Sequence, residues 1–553
     1  MVPDREAVDP LLIGRKHFLR LGGLGVAALV LGTGAEQGPA LARPDFREYP
    51  FKLGVASGNP LPDGVVIWTR LAPYPLNGGG MPRRNVEVTW KVAEDERFRR
   101  VVRKGTALAR PGAAHTVHVD VRGLRPRREY FYRFRAGDEW SPVGRTKTAP
   151  AFGAPVSSLA FAFASCQDWE NGLYAAYEAM SREELDFVVH LGDYIYENGA
   201  QTGGPRQHNG AEIFTLEDYR NRHALYKSDP KLRKVHALFP WMVTWDDHEA
   251  DNDYADENQE DGQDPRLFLR RRAAAYKAYY EHMPLRPFSL PRGPDMRLYR
   301  TLPLGDLAQI SLLDTRQYRT DQPCGDGLQE RCAAALSESQ TMSGPTQEKW
   351  LLEKLGRSQS RWNVIAQQTM LAEFDFNPAP GQGLYNMDQW DGYVAARNRL
   401  LSFLQKRRPS NPITITGDIH SSWVHDLKAD FDDPTSETLG TEFVGTSISS
   451  SFPSAFVSPV EAALTDNPHT KFFDGAFRGY VRCDLNRERW RTTFRGVPSE
   501  PPNGSVLTDD APAFDVATFV VEDGQPGAVQ DGDIPTPDAY EGPSRRFDPD
   551  ELD

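Results

Sequence analysis

Five short apolar runs each end in residues that can bind a cation or an anion. "LAFAFAS" runs into Cys166, and "DFVVHLG" into Asp193, with Tyr196 three residues on. "PWMVTW" is followed by Asp246, Asp247 and His248, "LAQISLL" by Asp314 and Arg316, and "PITITG" by Asp418 and His420. Thiolate, phenolate and imidazole suit a transition metal, whereas carboxylates suit a hard cation such as calcium. A guanidinium fork matches two oxygens of a phosphoryl group. The stretch "TWDDHEADND" adds density: Asp246, Asp247, Glu249, Asp251 and Asp253 are acidic, with the single histidine His248 among them. Carboxylates this close repel one another unless water or a cation compensates. Each motif has a bland alternative. A Gly-Asp pair after a strand is commonly a turn, the acidic loop can be a solvated face, and Arg316 can pair with Asp314. The five strand ends together point to a cluster of metal ligands and anion binders.

Such a cluster needs strands that deliver their ends to one place. In an α/β sheet, residues just past the carboxyl ends of strands share a crevice. From about residue 156 the sequence supplies the parts, because short apolar runs alternate with helical stretches. Asp264-Pro265 reads as a cap and first-turn pair for a helix from Arg266 to about His282. "TQEKWLLEKLG" reads as a helix with Thr346 as cap and Gly356 as stop, and "AARNRLLSFLQKR" as another. Residues 50–148 read differently: "GVVIWTRL", "VEVTWKVA", "HTVHVDVRGL" and "EYFYRFRAG" are strands separated by Gly, Pro and Asp. Within "LRPRREYFYRF", Leu124, Pro126 and Tyr130 are placed as in a tyrosine corner. This segment resembles a fibronectin type III-like or immunoglobulin-like module.

The whole chain narrows the function classes. Its 553 residues suffice for two domains or more. A net charge of -13 and the lack of a basic stripe disfavour nucleic acid as a non-specific partner, and no specific nucleic-acid binding is expected. "GRKHFLR", the apolar run Leu21–Leu31 and "ALA" at 40–42 form a signal peptide over residues 1–42. Arg15-Lys16 before His17, Phe18 and Leu19 resembles a twin-arginine signal, with an ordinary secretory signal as the alternative. The expected location is secreted, periplasmic or cell-surface. Cys324 and Cys332 can close a short loop in that compartment. Cys483 reads as a buried strand residue, and residues 523–553 as a disordered tail.

"SCQ", "HLGDYIYE", "TWDDHE", "LLDTRQYR" and "TGDIHSSW", in this order, resemble the PhoD-like alkaline phosphatases, a branch of the calcineurin-like metallophosphoesterases. "LEDYRNRHALYKSDP", "QWDGYVAARNRLL" and "EFVGTSISS" fit the same family. The likeness implies an α/β fold over residues 156–522, with a layered metallophosphoesterase β-sandwich core flanked by helices. It implies an N-terminal fibronectin/immunoglobulin-like all-β domain over residues 46–150. It further implies Fe3+ held by Cys166, Asp193, Tyr196 and His420, and one or two Ca2+ at Asp193, Asp247 and Asp418. Asp247 and Asp418 stand where the broader superfamily has Asn and His, which makes the second site anionic and calcium-like. The implied activity is hydrolysis of phosphomonoesters or phosphodiesters by a metal-bridging hydroxide, assisted by His248 and with Arg316 clamping phosphate. Two other readings remain open: a phospholipase D-type hydrolase of phosphatidylcholine, and an inactive calcium-stabilised binding protein. The expected protein is a monomer acting on a phosphate ester or a membrane-lipid substrate.

Overall fold

The computed structural model describes residues 46–260, 262–377, 383–499, 505–509 and 511–532. The signal-peptide reading of residues 1–42 lies outside them. Two large sheets carry the fold. The first has ten strands, in the order Gln525–Gln530, Phe514–Glu522, Arg489–Val497, Arg478–Asn486, Ser158–Ala164, Phe187–His190, Pro240–Val243, Val55–Leu61, Gly64–Arg70 and Thr116–Arg122. The second has seven: Arg300–Leu304, Ala308–Leu312, Trp362–Ala366, Pro412–Thr416, Thr438–Val444, Ser422–Lys428 and Thr470–Asp474. The motif-bearing strands are parallel within each sheet.

The two sheets share one apolar layer. Phe161, Phe163, Val189 and Met242 of the first join Ile310, Val364, Ile413 and Phe443 of the second in a single buried cluster. Helices cover the outer faces. Those at Ala175–Ser181, Pro230–Leu238 and Pro265–His282 pack on the first sheet, and those at Gly344–Arg357 and Val394–Arg407 on the second. Strands covered on both faces need apolar residues on both, which is why the motifs follow continuous runs rather than alternating patterns.

Asp264 caps its helix by accepting from Arg266 N at 2.9 Å, with Pro265 as the first helical residue. The next helix departs from expectation: it starts at Gly344 rather than after Thr346, and Gly356 lies inside it. Pro345 in its first turn explains the early start, since proline lacks only an N–H that has no helical partner there.

The N-terminal strands form a sandwich, as expected. Val88, Val92, Tyr132 and Phe134 of one small sheet face Val55, Val65, Ile67 and Val117 of the other layer. Tyr130 Oη accepts from Arg125 N at 2.9 Å, closing the tyrosine corner. The boundary near residue 150 is not a break in the sheet, however. Ser57 and Gly58 pair in parallel with Pro240 and Trp241, so three N-terminal strands extend the ten-stranded sheet. Gly58 is required there, because a Cβ would stand 2.6 Å from Trp241 O.

The tail expectation is corrected in part. Gln525–Gln530 is an edge strand, paired back on Phe514–Glu522 through the turn at Asp523-Gly524. Asp-Gly between two strand-forming runs is a hairpin signal that low apolar content had masked. Residues 533–553 lie outside the described ones.

Candidate metal centre

The carboxyl ends of both sheets' parallel strands meet at one place. Three groups of donor atoms lie mutually within 4.8 Å: Cys166, Asp193 and His420; Asp193, Asp247 and His248; and Asp246, Asp247 and Asp418. They overlap at Asp193 and Asp247, so the cluster is continuous. Tyr196 closes it. Its hydroxyl lies 2.9 Å from Asp193 Oδ2, 3.2 Å from His420 Nε2 and 2.7 Å from Ser450 Oγ. All six residues expected to bind metal are therefore brought together, with the His248 ring against that of Tyr196, tilted by 31° at a centroid separation of 4.1 Å.

The backbone is bent to achieve this. Cys166, Asp193, Asp418 and His420 have φ of 58°, 54°, 65° and 57°. Side-chain-bearing residues rarely occupy this region, and each such residue costs on the order of 1–3 kcal/mol. Glu249 offsets part of that cost. Its buried carboxylate accepts from Asp193 N at 3.1 Å, Tyr194 N at 2.6 Å and Asp246 N at 2.8 Å, tying two donor loops together. Asp253 N donates to Asp247 Oδ2 at 2.7 Å.

The electrostatics show a surplus of negative charge. Burial, reinforced by Asp247 and Asp418, pushes the Asp193 carboxyl up to about 8. Burial raises Asp246 and Tyr196 well above their usual values. It raises Cys166 too, with Asp193 adding to the effect. Burial alone would also raise Asp247, but Arg316 and His248 hold it below. Burial pushes His420 down to about 4, so its ring is neutral and able to ligate at neutral pH. Among the described residues Asp193 Oδ1 is buried without a hydrogen-bond partner; Asp247 Oδ1 accepts no hydrogen bond either and has only the Arg316 guanidinium nearby, at 3.4 Å. An orphaned buried carboxylate oxygen is costly unless a cation meets it. This donor set therefore fits metal ions: sulfur, phenol and imidazole on one side of Asp193, and carboxylates on the other.

Arg316 differs from expectation. Its guanidinium is wholly buried and donates to Asp246, to Asp388 at 2.9 Å and to Asp418 Oδ1 at 2.6 Å. From Arg316, the Asp314 carboxylate accepts only the backbone N–H, at 3.1 Å, and its other bonds come from Gln317. A fork with all three nitrogens engaged by carboxylates gathers the acidic residues rather than facing a substrate. The roles of Glu249, Asp388, Gln389 and Glu197 were not read from the sequence. Glu249, Glu197 and Gln389 lie inside quoted motifs, but Asp388 and Gln389 follow no apolar strand and carry no strand-end signal. The disulfide joins Cys324 and Cys332, and Cys166 and Cys483 are free and buried. Among the described residues no helix is long and apolar enough to cross a membrane.

Comparison with known proteins agrees with this geometry. A family model described as PhoD-like phosphatase matches residues 161–494, and one described as its N-terminal domain matches residues 36–150. Alkaline phosphatase D of Bacillus subtilis (strain 168) is 49% identical over 523 residues, covering 93% of this chain and 88% of that one. A solved structure described as PhoD superposes with a TM-score of 0.84 at 48% identity, covering 92% of this chain and 97% of that one. The chain thus belongs to the PhoD-like phosphatase family, metal-dependent hydrolases of phosphate esters.

Proposed function

We propose that Cys166, Asp193, Tyr196 and His420 would hold Fe3+, that Asp193, Asp247 and Asp418 would hold Ca2+, and that the protein so loaded hydrolyses phosphomonoesters and phosphodiesters. The observation that carries this reading is the overlap of the donor groups at Asp193 and Asp247. Bound cations supply activation of a water nucleophile and neutralise phosphoryl charge. The remaining work falls to the chain. Asp193 holds two cation positions adjacent. His248 Nδ1 is engaged by the Glu197 carboxylate at 2.8 Å. That contact sets the ring and turns Nε2 toward substrate, where it donates a hydrogen bond to a phosphoryl or leaving-group oxygen. Arg316 keeps Asp246 and Asp418 gathered. Export by the twin-arginine route belongs to the same reading, as a folded, metal-loaded protein would need it.

A second reading, hydrolysis of phosphatidylcholine, draws support from the apolar side of the site. Ile419, between Asp418 and His420, is half-buried and, like Phe376 and Phe473, packs against the cluster of Met370, Phe374 and Trp423, and the half-buried Phe452 stands beside Phe473. Metal analysis, followed by parallel assays on a soluble monoester, a soluble diester and a lecithin dispersion, separates the readings. Iron and calcium with turnover of the soluble esters supports the first. Turnover of lecithin alone supports the second, and absence of both metals overturns the ligand assignment.

A further inference from the structure

Gln389 is buried beside Asp418, on a segment no strand-end motif marks. Its Nε2 donates to Asp418 Oδ2 at 2.6 Å, and its Oε1 accepts from Met370 N at 2.5 Å. Those two contacts allow one amide orientation only. A flipped amide would set an oxygen against the carboxylate and an N–H against a backbone N–H. The segment carrying Gln389 is itself held. Tyr385 and Asn386 pair with Gln329 and Leu328, inside the loop closed by the Cys324–Cys332 disulfide. Met387 N donates to Gly327 O at 2.8 Å. The neighbouring Asp388 accepts from Arg316, Arg319 and Gln322.

Asp418 needs such support. Its φ of 65° is unfavourable for a residue with a side chain, so the local backbone does not by itself fix where the carboxylate lies. Arg316 takes Oδ1 and Gln389 takes Oδ2, and together they define the carboxylate plane. We infer that Gln389 is a positioning residue that holds Asp418 in register with Asp246 and Asp247 for a hard cation. This rests on the reading of that carboxylate group as a cation site. Partners that orient a ligand typically change metal affinity by about 10–100-fold when removed.

Calorimetric titration of EGTA-treated protein with calcium chloride tests this, with iron content measured in parallel. Gln389→Met keeps the side-chain length and removes both hydrogen bonds, along with the longer one of 3.4 Å to Asp388 Oδ2. It should weaken calcium binding about 10–100-fold and leave iron content unchanged, because Cys166, Tyr196 and His420 are untouched. A loss confined to calcium is a result that general misfolding would not produce. Should Gln389→Met fail to fold, Gln389→Asn decides by the same two measurements, since its shorter amide cannot span Met370 N and Asp418 Oδ2. Calcium binding lost in Asp418→Asn but of wild-type strength in the Gln389 variant overturns the inference alone. A wild-type protein that takes up no calcium overturns the carboxylate reading and the inference with it.

Discussion

On one side of Tyr194 lie the carboxylates around Asp193, and on the other lie His190, His223, His236, His282 and Lys227. Tyr194 touches both, through its N–H on Glu249 and its hydroxyl 2.7 Å from His236 Nε2. Both clusters are buried, yet they settle their charge by opposite routes. The histidines do so by losing protons: burial pushes His190 down to about 3 and the other three well below their usual value. None of the five is in an ion pair among the described residues. Burial lowers Lys227 as well, to about 7, over the faces of Trp68 and Tyr194. The carboxylates would have no such way out as metal ligands, the role proposed for them. One guanidinium, Arg316, is set against Asp246, Asp247, Asp388 and Asp418. The comparison teaches that a buried polar cluster either neutralises itself or is completed from outside, and the orphaned oxygen of Asp193 marks the second kind.

The largest expected break in that contrast is Asp193→Asn. It removes the charge both cation positions share and should lower phosphate-ester hydrolysis by at least about 100-fold. Metal analysis should show both iron and calcium depleted. Retention of both would remove Asp193 from the ligand set. Tyr196→Phe comes next. Phenolate bound to Fe3+ absorbs visible light, so the variant should lose or shift that band and retain less iron. An unchanged spectrum at full iron content excludes Tyr196 as a ligand.

On the histidine side, Lys227→Met should stabilise. Below pH 7 the folded chain holds a buried ammonium at a desolvation cost, while the unfolded lysine stays charged up to about 10.5. The folded state therefore binds fewer protons between those values, and stability from this site rises as pH rises through them. The gain from Lys227→Met should be on the order of 2 kcal/mol near pH 6 and should shrink by pH 9, read from melting curves at both. A gain independent of pH would mean the ammonium is solvated. The smallest effect is Tyr194→Phe, which removes the bond to His236 and should cost about 1 kcal/mol without moving the visible band. If it shifts the band, the two clusters are not separate.

Much of the cluster was legible because the strands that carry it are covered on both faces. Continuous apolar runs then end abruptly in Cys166, Asp193, Asp247, Asp418 and His420, and no alternation hides the ends. Asp264 and Tyr130 were legible because a cap and a corner act within a few residues of themselves. Glu249 was quoted in a motif, but its clamp on three backbone N–H groups depends on two loops meeting, and Gln389 reaches Asp418 across a separation of 29 residues. The edge strand Gln525–Gln530 was missed because it carries one proline, one glycine and two glutamines in six residues, so its pairing, not its composition, keeps it ordered.

The amino-acid sequence by itself determined which residue types stand at the strand ends, and therefore the donor chemistry on offer there: thiol, phenol and imidazole beside carboxylates. Only the tertiary structure decided that those ends come from two sheets rather than one, and that the N-terminal strands continue the first sheet. It also decided that Arg316 is spent on carboxylates. Residue type is a local property, whereas the partner of a buried charge is whichever group packing brings within a few ångströms, and Asp246, Asp388 and Asp418 reach Arg316 from separate parts of the chain.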